Sequence, residues 1–240
     1  MEKETFVYYE TLKNRYPNVR ILTWKKEFNY SAINNFAVRE AQGEYLLFLN
    51  NDVEIITESW LEEMLQLCQQ KDVGMVGAKL YYPDDTIQHA GVVVGLGGVA
   101  AHVLCKLPRD AEGYMGRLRC VQEISAVTAA CMMVKTSVFK AVGGFDEELK
   151  VAFNDIDLCM KVRKYGVKIV FTPYAELYHY ESKSRGMEDT PEKQLRFSRE
   201  VNCFRRKWER ELLKGDPYYN PNLTLNNTDC SLRKQEKNGD

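Results

Sequence analysis

The stretch from Gly43 to Asp52, GEYLLFLNND, constrains the fold of this chain more than any other. Tyr45 to Leu49 are five consecutive apolar residues without polar alternation, which is typical of a strand covered on both faces of an α/β sheet. The strand ends in Asn50, Asn51 and Asp52. Open α/β sheets bind ligands at the carboxyl ends of their strands, so this tripeptide is a candidate site. Since the same residues also favour turns, a plain turn is the alternative.

Helical and strand-like patterns alternate around this stretch. Helices are predicted over 4–16, 31–41 and 57–68, and strands over 19–24, 45–49 and 73–80. In the first helix, Phe6, Val7, Tyr9 and Leu12 are expected to face a core. Alternating strands and helices indicate an α/β fold with three layers and a mostly parallel sheet.

Composition limits the class of protein. The chain has 240 residues, 45% hydrophobic content and a formal net charge of −1, which favours a globular protein without a nucleic-acid partner. Its seven scattered cysteines indicate reduced thiols and a cytoplasmic location. We predict one domain over 1–190, an amphipathic helix over 191–214 and a mobile tail over 215–240.

A glycine-rich segment from Gly95 to Ala100 matches the dinucleotide-binding pattern Gly-x-Gly-x-x-Ala. That pattern needs a full helix immediately after it, and only a short piece precedes Pro108. A loop or β-turn is therefore expected, and a dinucleotide-dependent enzyme is the less favoured alternative.

Two acidic residues lie near the start of a helix that Gly166 is expected to end. Asp155 shares a helical face with Leu158, Cys159 and Val162, whereas Asp157 is predicted to face solvent with Lys161 and Lys164. A carboxylate at the rim of an apolar face is either a plain N-cap or a base that accepts a proton. The residues alone leave both interpretations of Asp155 open.

His179 precedes a basic loop that contains Arg185. A lone histidine is often structural, but basic and hydroxyl side chains suit phosphate oxygens, and histidine suits a divalent metal that phosphate also binds. The amphipathic helix after this loop is expected to dock on the domain. Contact with an anionic membrane surface through 191–214 is the alternative.

Five motifs in this order resemble the family-two inverting glycosyltransferases, and more narrowly bacterial enzymes of O-antigen and cell-wall polysaccharide assembly, including rhamnosyltransferases. The resemblance covers about residues 5–186. Its motifs are SAINN at 31–35, GEYLLFLNND at 43–52, GGFDE at 143–147, NDIDL at 154–158 and HYESKSRG at 179–186.

The resemblance implies a GT-A fold, a nucleotide-diphospho-sugar donor, a saccharide or lipid-linked glycan acceptor, and Mg²⁺ or Mn²⁺. By position, it makes Asp52 and His179 metal ligands and Asp155 the catalytic base. It places Asn34, Asn35, Asn50 and Asn51 at the donor, and Asn50 and Asn51 stand where the family has acidic residues. Arg185 is expected to contact the donor diphosphate.

The family normally opens with two strands that hold the nucleotide, and this chain has neither pattern before its first helix. We therefore expect a truncated domain that binds nucleotide weakly. A non-catalytic binding module with the same fold is the second functional hypothesis.

Overall fold

The computed structural model describes residues 3–181 and 190–234. The helices described are α1 Lys3–Arg15, α2 Tyr30–Glu40, α3 Trp60–Cys68, α4 Thr136–Ala141, α5 Asn154–Tyr165 and α6 Pro191–Lys214. The strands described are β1 Tyr45–Leu49, β2 Val53–Ile55, β3 Val73–Tyr81, β4 Ile87–His89, β5 Val92–Val94, β6 Ala100–His102, β7 Gln122–Glu123, β8 Cys131–Lys135 and β9 Lys168–His179.

A seven-stranded sheet in the order β1-β8-β3-β9-β2, with β4 beside β3 and β7 beside β9, forms the centre of the domain. The expectation of a mostly parallel sheet is wrong in detail, because β3–β9 is the one parallel pair among the described strands. β8 lies between β1 and β3 and is antiparallel to both. Consequently β1, β3 and β9 point the same way, and their carboxyl ends meet at one edge of the sheet.

Helices cover both faces of this sheet, as the three-layer prediction requires. β3 is buried along all nine of its residues. On one face Met64 and Cys68 of α3 pack against the sheet, and on the other Leu158 and Cys159 of α5 belong to the larger apolar core. Gly77 of β3 allows the Val127 side chain to pack directly against the strand, because a Cβ at Gly77 would meet Val127 Cγ1 at 2.3 Å.

The amino-terminal part departs from its prediction. Residues 19–24 form no strand in the described structure, and no described strand pairs with them. In α1, Phe6 is 53% and Val7 64% exposed, so the predicted core-facing side of this helix is largely solvent-facing. Tyr9 and Leu12 are half-buried. An apolar pattern forms a core face only where another element covers it.

The glycine-rich segment forms a β-hairpin. β5 and β6 pair antiparallel, and a single 3₁₀ turn at Leu96–Gly98 joins them. A strand therefore follows the glycines where a dinucleotide site needs a helix.

α6 docks on the domain, as expected. Phe204 and Trp208 of its apolar stripe are buried, and Trp208 Nε1 donates to Asp157 Oδ1 at 2.8 Å. The prediction that Asp157 faces solvent is wrong: its side chain is fully buried, with Lys161 Nζ at 3.1 Å and Lys207 Nζ at 2.8 Å. Because the stripe is used in docking, contact with a membrane would rest on the opposite, basic face of α6.

Residues 215–234, predicted as part of a mobile tail, pack on the domain instead. Tyr219, Leu223 and Cys230 are buried. Asp216 Oδ2 accepts from the amide of Val94 at 2.8 Å, which ties the segment to β5. Asn and Asp side chains that suggested disorder here make local turns, as in the bond from the Asn222 amide to Asn220 Oδ1 at 2.9 Å. Within the described residues, no helix combines the length and apolarity needed to span a bilayer.

Docking of α6 predicts a large stability difference between two substitutions on this helix. Phe204→Ala should lower the free energy of unfolding by about 3–5 kcal/mol, because Phe204 is fully buried. Leu213→Ala, at a position 82% exposed, should change it by less than about 0.5 kcal/mol. Urea unfolding followed by circular dichroism measures both, and equal effects would contradict the docked arrangement.

Candidate active site

A cleft of about 330 Å³ lies at the sheet edge where β1 and β9 end. It brings together Asn50, Asn51, Asp52, Asp155 and His179, all selected from the sequence. The other lining residues are Phe28, Tyr30, Thr128, Ala129, Ala130, Val151, Asn154 and Glu181.

Backbone pairing brings Asp52 to His179, although 126 residues separate them. Val53 of β2 pairs with His179 of β9, and the Tyr180 amide donates to the Asp52 carbonyl at 2.8 Å. As a result, His179 Nε2 lies 3.3 Å from Asp52 Oδ1. This oxygen is buried and accepts no hydrogen bond from any described residue.

Gln88 of β4 determines which nitrogen of the His179 ring carries the proton. Its Nε2 donates to the His179 carbonyl at 3.2 Å, which fixes the orientation of the amide. Gln88 Oε1, 2.7 Å from His179 Nδ1, is therefore an acceptor and Nδ1 is the donor. In the neutral ring Nε2 then carries a lone pair in place of a proton, and this lone pair accepts from Asn50 Nδ2 at 3.1 Å. A cation bound at Nε2 would replace the bond from Asn50.

The pair formed by Asp52 and His179 fits a divalent cation. An imidazole lone pair and an unsatisfied carboxylate oxygen face each other at 3.3 Å. Two ligands that bind one ion at about 2.1 Å each lie about 3 Å apart when adjacent in an octahedron. No cluster of three or more His, Cys, Asp or Glu side chains suited to a metal occurs in the described part of the chain, so these two would be supplemented by other oxygens.

Asp155 projects into the same cleft from the first turn of α5. Its Oδ1 accepts from the Ile156 amide at 2.8 Å, and its Oδ2 accepts from the Ala129 amide at 3.2 Å. Each oxygen keeps a further lone pair. The N-cap position belongs to Phe153, so Asp155 is not the N-cap itself, although its Oδ1 satisfies one free amide of the first turn.

Sequence reasoning missed Tyr30, which lies in the cleft at the start of α2. Its hydroxyl donates to the Ala129 carbonyl at 3.2 Å. Burial, and next the nearby charge of Asp155, raise the pKa of Tyr30 well above its usual value, so the hydroxyl stays protonated. Its position directly before the SAINN motif was the available signal. Nothing in the sequence marks Thr128 or Ala129 as site residues, and only the fold shows that they line the cleft.

Asn34 and Asn35 are not among the side chains that line the cleft. Asn34 Nδ2 donates to the Tyr30 carbonyl at 2.8 Å. Asn35 Nδ2 donates to the Phe145 carbonyl at 2.9 Å, and its Oδ1 accepts from the Phe145 amide at 2.9 Å. Both side chains therefore hold backbone in this structure, and their predicted contact with the donor stays a prediction. Arg185 lies outside the described residues.

Two histidines lie behind the cleft, His89 fully buried and His102 half-buried. His89 Nδ1 and His102 Nδ1 are 3.1 Å apart, and His102 Nδ1 is 3.0 Å from the Gln88 carbonyl. Burial lowers the pKa of His89, and the neighbouring His102 and His179 lower it further. Burial also lowers the pKa of His102, partly opposed by the charge of Asp155.

A larger cleft, of about 1130 Å³, lies between Lys79, Arg109 and Tyr174. Two of its cations are partnered within the protein: Arg109 lies 3.5 Å from Glu176 and 3.4 Å from Asp85, and Lys79 donates to the Leu118 carbonyl. None of the predicted site residues lines it. The side chains that line the two clefts therefore favour the smaller one as the active site, although the other is larger.

Residues 12–200 match the model of a glycosyltransferase-like family. The chain belongs to this family. An uncharacterized protein, y4gI, of Sinorhizobium fredii is 53% identical over 97% of the chain, and the O-antigen biosynthesis protein RfbC of Myxococcus xanthus is 42% identical over 93%. The chain spans 26% and 17% of the lengths of these two relatives.

Among solved structures, the mannosyltransferase PcManGT from Pyrobaculum calidifontis, in complex with GDP-Man and Mn²⁺, superposes with a TM-score of 0.58 at 15% identity. The likeness covers 87% of this chain and 52% of that protein. It confirms the predicted GT-A type of α/β fold. The match to the family model confirms the glycosyltransferase family predicted from the five motifs.

The lowered pKa values of His89 and His102 predict a loss of stability on mild acidification. Their pKa values are depressed in the folded state, so the unfolded chain binds more protons below its ordinary histidine pKa of about 6.5. The free energy of unfolding should be constant above about pH 7 and fall as the pH drops from about 6.5 toward 5. His89→Gln should flatten this slope in urea titrations, whereas an unchanged slope would show that the pair is not responsible.

Proposed function

We propose that this domain transfers a sugar from a nucleotide-diphosphate donor to a hydroxyl of a glycan or lipid-linked saccharide, with inversion and with the help of a divalent cation. The observation that carries the proposal is the convergence of Asp52, His179 and Asp155 on one cleft in a chain of the glycosyltransferase-like family. Two side chains suited to a cation, Asp52 and His179, and a carboxylate with spare lone pairs, Asp155, support such a reaction.

The similar proteins support the proposed classes of donor and acceptor. The relative in Myxococcus xanthus is named for O-antigen biosynthesis, which suits a role in cell-surface polysaccharide synthesis. PcManGT, which shares the fold, was solved with GDP-Man and Mn²⁺. For this chain we propose a cytoplasmic location, where nucleotide-sugar donors are made; its seven free thiols agree with a reducing compartment.

Asp52 and His179 would hold the cation: the carboxylate suits both Mg²⁺ and Mn²⁺, and the imidazole favours Mn²⁺ of the two. When bound, the cation neutralises negative charge that develops on the diphosphate leaving group. Gln88 contributes by keeping the proton on Nδ1 of His179, so that Nε2 remains a ligand.

Asp155 would act on the acceptor. The acceptor oxygen attacks the anomeric carbon, the bond from that carbon to the phosphate oxygen breaks, and its electron pair leaves with the diphosphate. The hydroxyl proton passes to a carboxylate oxygen of Asp155. Because the displacement is single, one base suffices and the anomeric configuration inverts. The bonds from Ala129 and Ile156 fix the carboxylate for this task.

The first test concerns the base. Asp155→Asn should lower transfer at least about a hundredfold, since general-base catalysis contributes at least that factor, and leave donor binding nearly unchanged. Initial rates and calorimetric titration with the donor measure the two effects. Asp72→Asn, at an exposed carboxylate outside the cleft, is the control and should keep full activity. Turnover unchanged in Asp155→Asn would refute the assignment.

The second test concerns the cation. Mn²⁺ binding, followed by electron paramagnetic resonance with nucleoside diphosphate present, should weaken at least about tenfold in Asp52→Asn and in His179→Ala. Asp72→Asn should bind as the parent does. If the parent chain binds no Mn²⁺ yet still binds saccharide, the second hypothesis of a non-catalytic binding module is favoured instead.

A further inference from the structure

Helix α6 contacts the segment that leads into Asp155. Glu200 of α6 is 3% exposed, and its carboxylate points at the backbone of residues 151–152. Oε1 accepts from the Val151 amide at 2.9 Å, and Oε2 accepts from the Ala152 amide at 3.1 Å. Arg196, one turn earlier on α6, donates to Oε2 at 2.9 Å. A buried carboxylate thus satisfies two consecutive amides that would otherwise lack partners.

The next residue, Phe153, has a strained backbone that α6 also supports. Its φ of 62° and ψ of 3° lie in the left-handed region, which a bulky residue seldom adopts. The Phe153 ring packs between Phe197 and Phe204 of α6, with centroids 5.6 and 5.5 Å away. This conformation turns the chain so that α5 starts at Asn154 and Asp155 enters the cleft.

The opposite side of the segment is fixed by α2. The Tyr30 amide donates to the Lys150 carbonyl at 2.8 Å, and Ser31 Oγ donates to the Leu149 carbonyl at 2.6 Å. Residues 149–153 are therefore clamped between α2 and α6, and Glu200 makes the charged half of that clamp. Val151, whose amide it binds, lines the cleft itself.

We propose that Glu200 is a positioning residue for Asp155: it holds residues 151–153 in the turn that aims the Asp155 carboxylate at the acceptor hydroxyl. This inference rests on the proposed function. Glu200 belongs to neither the cation pair nor the lining of the cleft, so its removal should misplace the base and leave the Asp52–His179 pair intact.

The decisive variant is Glu200→Gln, which keeps the shape but replaces one acceptor oxygen with an NH₂ group that opposes a backbone amide. Hydrogen exchange in peptides covering 149–157 should accelerate. The kcat of transfer should fall roughly ten- to a hundredfold, because a displacement of about 1 Å can cost that factor. KM for the donor and Mn²⁺ affinity should stay within about twofold of the parent, since neither partner is disturbed.

Two further variants separate positioning from general destabilisation. Trp208→Phe removes another buried α6 contact, the bond to Asp157, and should lower Tm while kcat stays within about twofold. Phe197→Ala, at a position 39% exposed, should fold normally and lower kcat in the same direction as Glu200→Gln, by a smaller factor. It keeps the test decisive if Glu200→Gln does not fold.

The outcomes are distinguishable. Equal loss of kcat in Glu200→Gln and Trp208→Phe, or faster exchange at 149–157 without loss of kcat, would overturn the positioning role and leave the proposed function standing. Full activity of Asp155→Asn would remove the proposed function and with it the positioning of a base. Unchanged exchange in Glu200→Gln would overturn the clamp, whatever the activity.

Discussion

The short pairing between β2 and the end of β9 is the contact on which the candidate site depends. It places the Asp52 backbone against Tyr180 and directs Asp52 Oδ1 toward His179 Nε2 across a 3.3 Å gap. A buried carboxylate oxygen without a partner costs about 1–3 kcal/mol or more, and a folded chain keeps such a group only when the rest of the structure imposes it. The extended β3–β9 pairing provides that rigidity, since β3 is buried along its whole length.

Around this gap, the neighbouring polar groups are satisfied in ways that fix their orientation. Gln88 selects the tautomer of His179, the Ala129 amide holds Asp155, and Glu200 holds the segment before it. Each partner lies far away in sequence and comes from a different element. The cleft therefore behaves as a preorganised site on rigid supports, in which Asp52 Oδ1 is the buried oxygen left without a hydrogen-bond donor among the described residues.

Particular elements show how far sequence reasoning reached. The apolar run of β1 and its polar end were predictable, because five unbroken apolar residues have few other solutions and the next residues are chemically distinctive. The burial of Asp157 was not predictable. Helical periodicity shows which residues share a face of α5, but it does not show that α6 covers the face with Asp157. For the same reason Phe6 and Val7 were assigned to a core that no described element completes.

The sequence by itself determined the family, the α/β class and the identity of Asp52, Asp155 and His179 as candidates, since these depend on local pattern and on residue chemistry. Only the tertiary structure decided that the sheet is mixed, that Asn35 holds backbone, and that residues 215–234 pack on the domain. Strand order, burial and hydrogen-bond partners are set by contacts between distant segments, whose free energies no local window of residues contains.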